Sequence, residues 1–188
     1  MERSPVDICN SALGHLGEYT ITSVDPPDES RQARLCFRFY AESVNDVLQM
    51  HEWNCAIKRD SLAQEVDAPA FGYSYQYQLP NDCLHVIEMS ETIYPYRIEG
   101  DKLLTDAGVV SIKYISSDVN PALFSNLLVG AIALWMAWKM AWPLTNDKQV
   151  EILMLNKFQA ILSMAKCRDN RESMERHQSS SLWADESY

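Results

Sequence analysis

The feature that most constrains the fold is a run of uncharged, mostly apolar residues at 127–138, which Lys139 ends. Between Leu127 and Met136 apolar side chains cover nearly the whole circumference of a helix, a pattern typical of a helix buried among other helices. A membrane crossing needs about 20 such residues. We therefore interpret the run as the centre of a helical core, and the polar start of the chain predicts no signal peptide and a cytoplasmic site of synthesis.

The composition is that of a globular protein and limits the partners. The 188 residues are 47% hydrophobic and 22% charged, with a net charge of −10. Such acidity argues against sequence-specific duplex binding, because phosphate neutralisation needs clustered cations. No Cys-x-x-Cys pair occurs, which predicts free thiols rather than disulfides or a metal site. The five cysteines are Cys9, Cys36, Cys55, Cys83 and Cys167.

The sequence predicts four helices, at about 4–17, 29–52, 120–142 and 145–176. Ser4 is the predicted cap of the first helix, Pro5 occupies its first position, and Gly17 ends it. Apolar residues recur at spacings of three and four along the second helix. They are Ala33, Cys36, Phe37, Tyr40, Val44, Val47 and Leu48. We expect the third helix to start at Asn120-Pro121 and to end near Trp142-Pro143, and we expect Thr145 to cap the fourth. The predicted apolar stripe of the fourth helix contains Val150, Met154, Phe158, Ile161, Leu162 and Ala165.

The middle third has a different periodicity. Tyr73, Tyr75, Tyr77 and Leu79 alternate with polar residues, which predicts a half-buried strand. Further strands are predicted at 83–89 and 109–115, with a hairpin of 93–98 and 102–105 around a turn at 99–101. The expected fold is therefore mainly α, a four-helix bundle with a small β-hairpin or sheet insertion at about 53–118 and an extended C-terminal tail.

Three arginines on the second helix are the clearest candidate contact surface. Arg31, Arg34 and Arg38 share one face of the helix. One interpretation is a solvated face on which Arg38 pairs with Glu42. The other is a basic stripe that contacts an acidic neighbouring subunit.

The C-terminal segment, residues 168–188, is the second candidate. The apolar stripe ends at Cys167, and from residue 178 the chain is too polar to order itself. Aromatic residues in a polar tail are candidate docking anchors. The candidate docking residues are Arg168, Arg171, Arg176, Trp183 and Tyr188.

The sequence contains no catalytic constellation. His51 and Glu52 begin a pattern like His-Glu-x-x-His, but Cys55 stands where the second histidine is required. Asp25, Asp28 and Glu29 could bind a cation, although a turn and a helix cap explain them better. We expect no enzyme activity, no metal and no cofactor.

The order of these features resembles the head-to-tail adaptor, or tail tubular protein A, family of tailed phages. The resemblance begins with residues 6–17 (VDICNSALGHLG) and 47–59 (VLQMHEWNCAIKR). It continues with residues 71–84 (FGYSYQYQLPNDCL), which end in Leu-Pro-x-Asp-Cys, then 98–105 (IEGDKLLT) and 110–115. It spans about residues 5–165, and its motifs are structural.

The resemblance implies an adaptor domain at 1–167 that assembles as a ring, usually of twelve copies, between the portal and the tail. It also implies that residues 168–188 clasp the portal or a neighbouring copy. The expected partners are further copies, the portal protein, a downstream tail or nozzle protein, and phage DNA that passes through the channel without sequence-specific binding. The expected locations are the neck of the virion and, during assembly, the host cytoplasm.

Two alternatives remain open at this point. The first is a neck or stopper ring protein of another tail type, which would differ in the partner below the ring. The second is a small regulator that binds nucleic acid through the arginine stripe, against which the acidity of the chain argues.

Overall fold

The computed structural model describes residues 4–181, and the side chains of residues 4–172. The described chain forms four helices, six strands and two short 3-10 turns. They divide into a helical unit, up to Cys55 and from Asn120 onward, and a β unit, Ala56–Val119.

Helix α1, Pro5–Leu16, begins and ends as its sequence predicts. The Ser4 hydroxyl accepts the backbone N–H of Asp7, and the Asp7 carboxylate accepts the N–H of Ser4, which completes a capping box. Gly17 closes the helix with a φ of 73°, a left-handed conformation that costs glycine little. The predicted cap and terminator are confirmed.

Helix α2 is Arg31–Gln49, capped by Ser30, whose hydroxyl accepts the N–H of Ala33. Its buried face contains Ala33, Cys36, Val44, Val47 and Leu48, as predicted. Phe37 was predicted on this face as well, but 52% of it is exposed. That part of the prediction is wrong, because Phe37 lies at the border of the apolar stripe, where the packing of the neighbouring helices decides its burial.

Helix α3, Asn126–Thr145, is the centre of the helical unit, and α1, α2 and α4 all pack against it. By length and composition this helix could cross a membrane, yet half of its apolar window is buried inside the structure, as in a core helix. Gly130 permits a close approach of α4, since a Cβ there would lie 2.5 Å from Ile161 Cδ1. The interpretation of α3 as a buried helix among other helices is confirmed.

The bounds of α3 differ from the prediction at both ends. Asn120 caps a 3-10 turn, Pro121–Leu123, and α3 itself starts after Ser125. At the other end the helix continues beyond Pro143 to Thr145. The Thr145 hydroxyl donates to the Ala141 carbonyl (2.7 Å) and the Asn146 N–H donates to the Trp142 carbonyl (3.0 Å), so the last turn is satisfied despite the proline.

Helix α4 is Lys148–Ser181, which extends beyond the predicted end near residue 176. The predicted cap Thr145 belongs to α3, and Asp147 instead accepts the N–H of Gln149 (2.8 Å) at the start of α4. Met154, Phe158 and Ala165 are buried as predicted.

The β unit contains two three-stranded antiparallel sheets rather than a small hairpin or sheet insertion. The first sheet has the order β1-β6-β3, and the second has the order β2-β5-β4. The strands are β1 Ile57–Ser61, β2 Tyr75–Gln78, β3 Cys83–Met89, β4 Tyr96–Glu99, β5 Lys102–Thr105 and β6 Ser111–Ser116. The core between them contains Tyr77, Val86, Met89, Leu103, Ala107, Val110, Ile112 and Tyr114.

The predicted fold class is therefore wrong. The protein is an α+β chain, not a mainly helical four-helix bundle with a small insertion and an extended tail. The β unit has a core of its own, and α4 continues as helix through Ser181. The predicted strand at 83–89 and the predicted hairpin around Gly100 are confirmed. The pairing of β1 with β6, in contrast, joins segments at least fifty residues apart in the sequence, which periodicity alone cannot reveal.

Candidate interface

The three predicted arginines lie on the exposed side of α2, and two of them are anchored to backbone carbonyls. Arg31 donates to the Pro143 carbonyl at the end of α3, and Arg34 donates to the Glu29 carbonyl at 2.7 Å. The Arg38 guanidinium lies 5.4 Å from the centroid of the Phe39 ring. Guanidinium groups keep further N–H donors after one such bond, so this surface can still bind a partner carboxylate.

Arg38 does not pair with Glu42. Glu42 instead accepts from Lys139 of α3 at 2.7 Å, and Lys139 also contacts Asp46 at 2.6 Å. Within residues 4–172 none of the three arginines forms an ion pair with a carboxylate. The basic stripe is thus exposed and without a carboxylate partner in the described side chains.

Large apolar side chains are also exposed on α2 and on α4, and the sequence analysis did not single out those of α4. Phe37 is half exposed on α2. On α4, Ile152, Leu153 and Met164 are 52%, 48% and 56% exposed. Leu153, Ala160 and Met164 recur at spacings of seven and four, which defines an apolar stripe along the outer side of α4 that the exposed Lys157 interrupts. In the sequence, the exposed apolar residues of α4 lie on both sides of the predicted buried stripe of this helix.

The predicted docking residues of the C-terminal segment are only partly described. Arg168 and Arg171 are exposed on α4, and Arg168 pairs with Glu172 at 3.2 Å. Arg176 lies in α4, but its side chain is outside the described side chains. Trp183 and Tyr188 lie outside the described residues.

Asp169 attaches α4 to the turn after α2. Its carboxylate accepts the backbone N–H of Asn54 at 3.3 Å, and Asn54 Nδ2 donates to the Asp169 carbonyl at 3.0 Å. His51 Nε2 lies 3.3 Å from Asp169 Oδ2, and the His51 ring packs edge-on against Trp53 with centroids 4.8 Å apart. Burial raises the pKa of the Asp169 carboxyl, although its contacts with Asn54 and His51 lower it in part.

This histidine–aspartate pair has no activated nucleophile beside it among the described residues. Cys55 is close in sequence, but burial raises the pKa of its thiol to about 11, so it is protonated at neutral pH. The pKa of the Cys9 thiol is also raised, by its hydrogen bond with Cys36 and by burial. The contacts of Asp169 with Asn54 and His51 join α4 to the turn after α2.

No group of three or more potential metal ligands is found in the described part of the chain. Asp28, one of the three acids considered for a cation, accepts the N–H groups of Thr22 (3.1 Å) and Ser30 (2.9 Å). Hydrogen bonds from Ser30 and Thr22 lower the pKa of Asp28 to about 2. The turn-and-cap interpretation is confirmed for this residue.

The aspartate of the Leu-Pro-x-Asp-Cys motif organises the β unit. Asp82 accepts from Ser116 Oγ at 2.7 Å, Lys58 Nζ at 2.9 Å and the Tyr114 hydroxyl at 3.2 Å. Lys58 also contacts Asp118 at 3.0 Å. The cluster therefore ties the start of β1 to the end of β6, and these bonds lower the pKa of Asp82.

No family model matches the chain, and no curated protein matches its sequence.

Proposed function

We propose that this protein is a structural subunit of a ring, of about twelve copies if it follows the family it resembles, that joins a phage portal to the tail. The ring would form part of the DNA channel during assembly and genome ejection. Its partners would be further copies, the portal and a downstream tail or nozzle protein, and DNA would pass without sequence-specific binding. The protein would occupy the neck of the virion after assembly in the host cytoplasm.

The observation that supports the proposal is that two different sides of the helical unit expose side chains of the kinds found in interfaces. One is the basic face of α2 with the half-exposed Phe37, and the other is the apolar stripe of α4 around Leu153 and Met164. A ring closes head to tail, so each copy must present two different faces. Arginine and exposed aromatic or methionine side chains are enriched in protein interfaces. The order of sequence motifs adds independent support.

The charge of the chain suggests how assembly is controlled. Each copy carries a formal charge of −10, so repulsion accumulates as copies join. Salt screens this repulsion, since the Debye length falls from about 30 Å at 0.01 M to about 10 Å at 0.1 M ionic strength. Ring closure should therefore require either salt or a portal that serves as a template.

The test is negative-stain imaging and sedimentation of the purified protein with and without its portal. A ring on the portal is expected for the wild type, and Met164→Ser and Phe37→Ser should each reduce its formation while leaving the melting temperature nearly unchanged. Val66→Ser is the matched control, since Val66 is fully exposed on the β unit (102%). A protein that stays monomeric with the portal at every salt concentration would overturn the proposal.

Truncation after Glu172 tests the role of the C-terminal segment. This boundary keeps the Asp169 contacts with Asn54, so the helical unit should remain folded. Loss of portal binding in the truncated protein would assign the clasp to residues 173–188, and unchanged binding would refute it. A ring bound above a partner of another tail type would instead favour the neck or stopper alternative.

A further inference from the structure

The sheet β1-β6-β3 carries a row of polar side chains on the face opposite the core of the β unit. Arg59 of β1 lies directly opposite Lys113 of β6, which in turn lies opposite Glu88 of β3. Two residues further along the strands, Ser61 lies opposite Ser111, and the two hydroxyl oxygens are 2.9 Å apart. Side chains two residues apart share one face of a strand, so these groups point to the same side.

A groove of about 340 Å³ opens on this face. Arg59, Lys113, Glu88, Ser90, Thr92 and Ser111 contribute to its lining. Grooves of about 300 Å³ or more can hold a small ligand. The groove lies entirely within the β unit.

The groove contains more hydrogen-bond donors than acceptors. The Ser90 hydroxyl accepts the N–H of Ser111 at 3.2 Å, so its own hydrogen is free to be donated outward. Of the two hydroxyl hydrogens of Ser61 and Ser111, their mutual bond uses only one. The Arg59 guanidinium adds five N–H donors and has no ion pair or hydrogen bond with any described side chain.

The charges of the row do not balance within the groove. Two cations that face each other across neighbouring strands destabilise a sheet. Glu88 compensates only one of them, since its Oε1 lies 3.5 Å from Lys113 Nζ. Asp60 does not contribute, because it alternates to the other face of β1 and its carboxylate accepts the N–H of Ser61. One positive charge and several hydroxyl donors therefore remain available.

From this arrangement we infer that the groove binds a phosphate oxyanion. A phosphate group has several acceptor oxygens and negative charge, so the guanidinium, ammonium and hydroxyl donors that line the groove suit it. A carboxylate would leave more of these donors unused. The phosphate could be a free anion or part of a nucleic-acid backbone, and the inference is independent of the ring assembly.

The test is isothermal titration of the whole protein with inorganic phosphate in a buffer that contains no other oxyanion. Arg59→Gln is expected to weaken binding by about tenfold, the loss of one charge-assisted hydrogen bond or ion pair. Ser90→Ala should weaken binding by a smaller factor. Arg97→Gln is the matched control, because Arg97 is an exposed arginine of the other sheet that pairs with Glu99. Circular dichroism of each variant verifies that it is folded.

A second arm uses a short DNA duplex in the same phosphate-free buffer, followed by fluorescence anisotropy. Binding of inorganic phosphate that Arg59→Gln weakens and Arg97→Gln does not would support a free anion as the ligand. Duplex binding with the same dependence on Arg59, in the absence of binding by free phosphate, would support a backbone phosphate. Binding of neither probe, or equal effects of Arg59→Gln and Arg97→Gln, would overturn the inference.

Discussion

Replacing Asp82 by alanine should destabilise the β unit more than the substitution of any exposed residue in that unit. The substitution removes the acceptor of the Ser116 and Tyr114 hydroxyls, which belong to residues that are 0% and 3% exposed. A hydrogen bond to a charged group contributes about 1.5–3 kcal/mol, and a buried hydroxyl left without a partner costs about 1–3 kcal/mol.

The two costs are not additive, because the Ser116 hydroxyl can turn its single hydrogen from Asp82 to the Asp118 carbonyl, 3.3 Å away, while it still accepts the Asp118 N–H at 2.9 Å. Lys58 keeps Asp118 as an ion-pair partner as well. The expected loss is therefore about 3 kcal/mol in the free energy of unfolding of the β unit. Asp82→Asn retains one acceptor oxygen and should lose about 1 kcal/mol.

Native-state hydrogen exchange is the suitable assay, because it reports each unit separately. The amides of β6 should lose about a hundredfold in protection in Asp82→Ala, whereas amides of α3 should change little. Asp60→Ala is the matched control, since Asp60 is an exposed carboxylate of the same sheet whose hydrogen bond is to the neighbouring Ser61 N–H. A loss below about 0.5 kcal/mol in Asp82→Ala, or an equal loss in Asp60→Ala, would refute the reasoning.

The pH dependence provides an independent measurement of the same cluster. The pKa of Asp82 is lowered below its usual 3.8, so its contribution to stability is present above that pH and is lost as the pH falls through the folded-state pKa. The difference in stability between the wild type and Asp82→Ala should therefore shrink in acid. A difference that stays constant down to low pH would contradict the assignment of the effect to the carboxylate.

Two further predictions concern α3. Gly130→Val should destabilise the helical unit by about 1 kcal/mol in chemical denaturation, at the low end of the range for overpacking, because a Cβ there would lie 2.5 Å from Ile161 Cδ1 and the end of that side chain must move aside. An unchanged denaturation midpoint would refute this. Lys139→Ala should lower the free energy of unfolding of the helical unit by about 2 kcal/mol, because it leaves Asp46 without its cation. It should also alter tryptophan emission, since Asp46 accepts from Trp135 Nε1 at 2.9 Å. Emission identical to that of the wild type would contradict this contact.

The sequence alone predicts those parts of the structure whose causes are local. The capping box of Ser4 and Asp7 and the left-handed Gly17 follow from side chains within one turn of the helix end. The strand Cys83–Met89 and the turn at Gly100 are likewise set by neighbouring residues. The central position of α3 also follows from its composition, since a helix that is apolar on nearly all sides must be surrounded.

The sequence does not predict where a helix ends when a group distant in sequence donates a hydrogen bond to a carbonyl of its last turn. Pro143 suggested that α3 stops, but Arg31 of α2 donates to the Pro143 carbonyl, and the Thr145 hydroxyl satisfies Ala141. The exposure of Phe37 and Ile152 depends in the same way on which neighbour covers each border of a helix.

Of the candidate sites, one follows from local sequence and the other depends on the tertiary structure. The arginine face of α2 is visible in the sequence, because residues three and four apart share a helix face. The groove that Arg59 and Lys113 line in the β unit is not visible in the sequence, because these two residues become neighbours only through the pairing of β1 with β6. Local sequence thus determined the helix caps, the turns and the single-helix surfaces of this protein. Only the tertiary structure decided the two sheets and the groove, because strand pairing between distant segments depends on the packing of the whole β unit rather than on any local pattern.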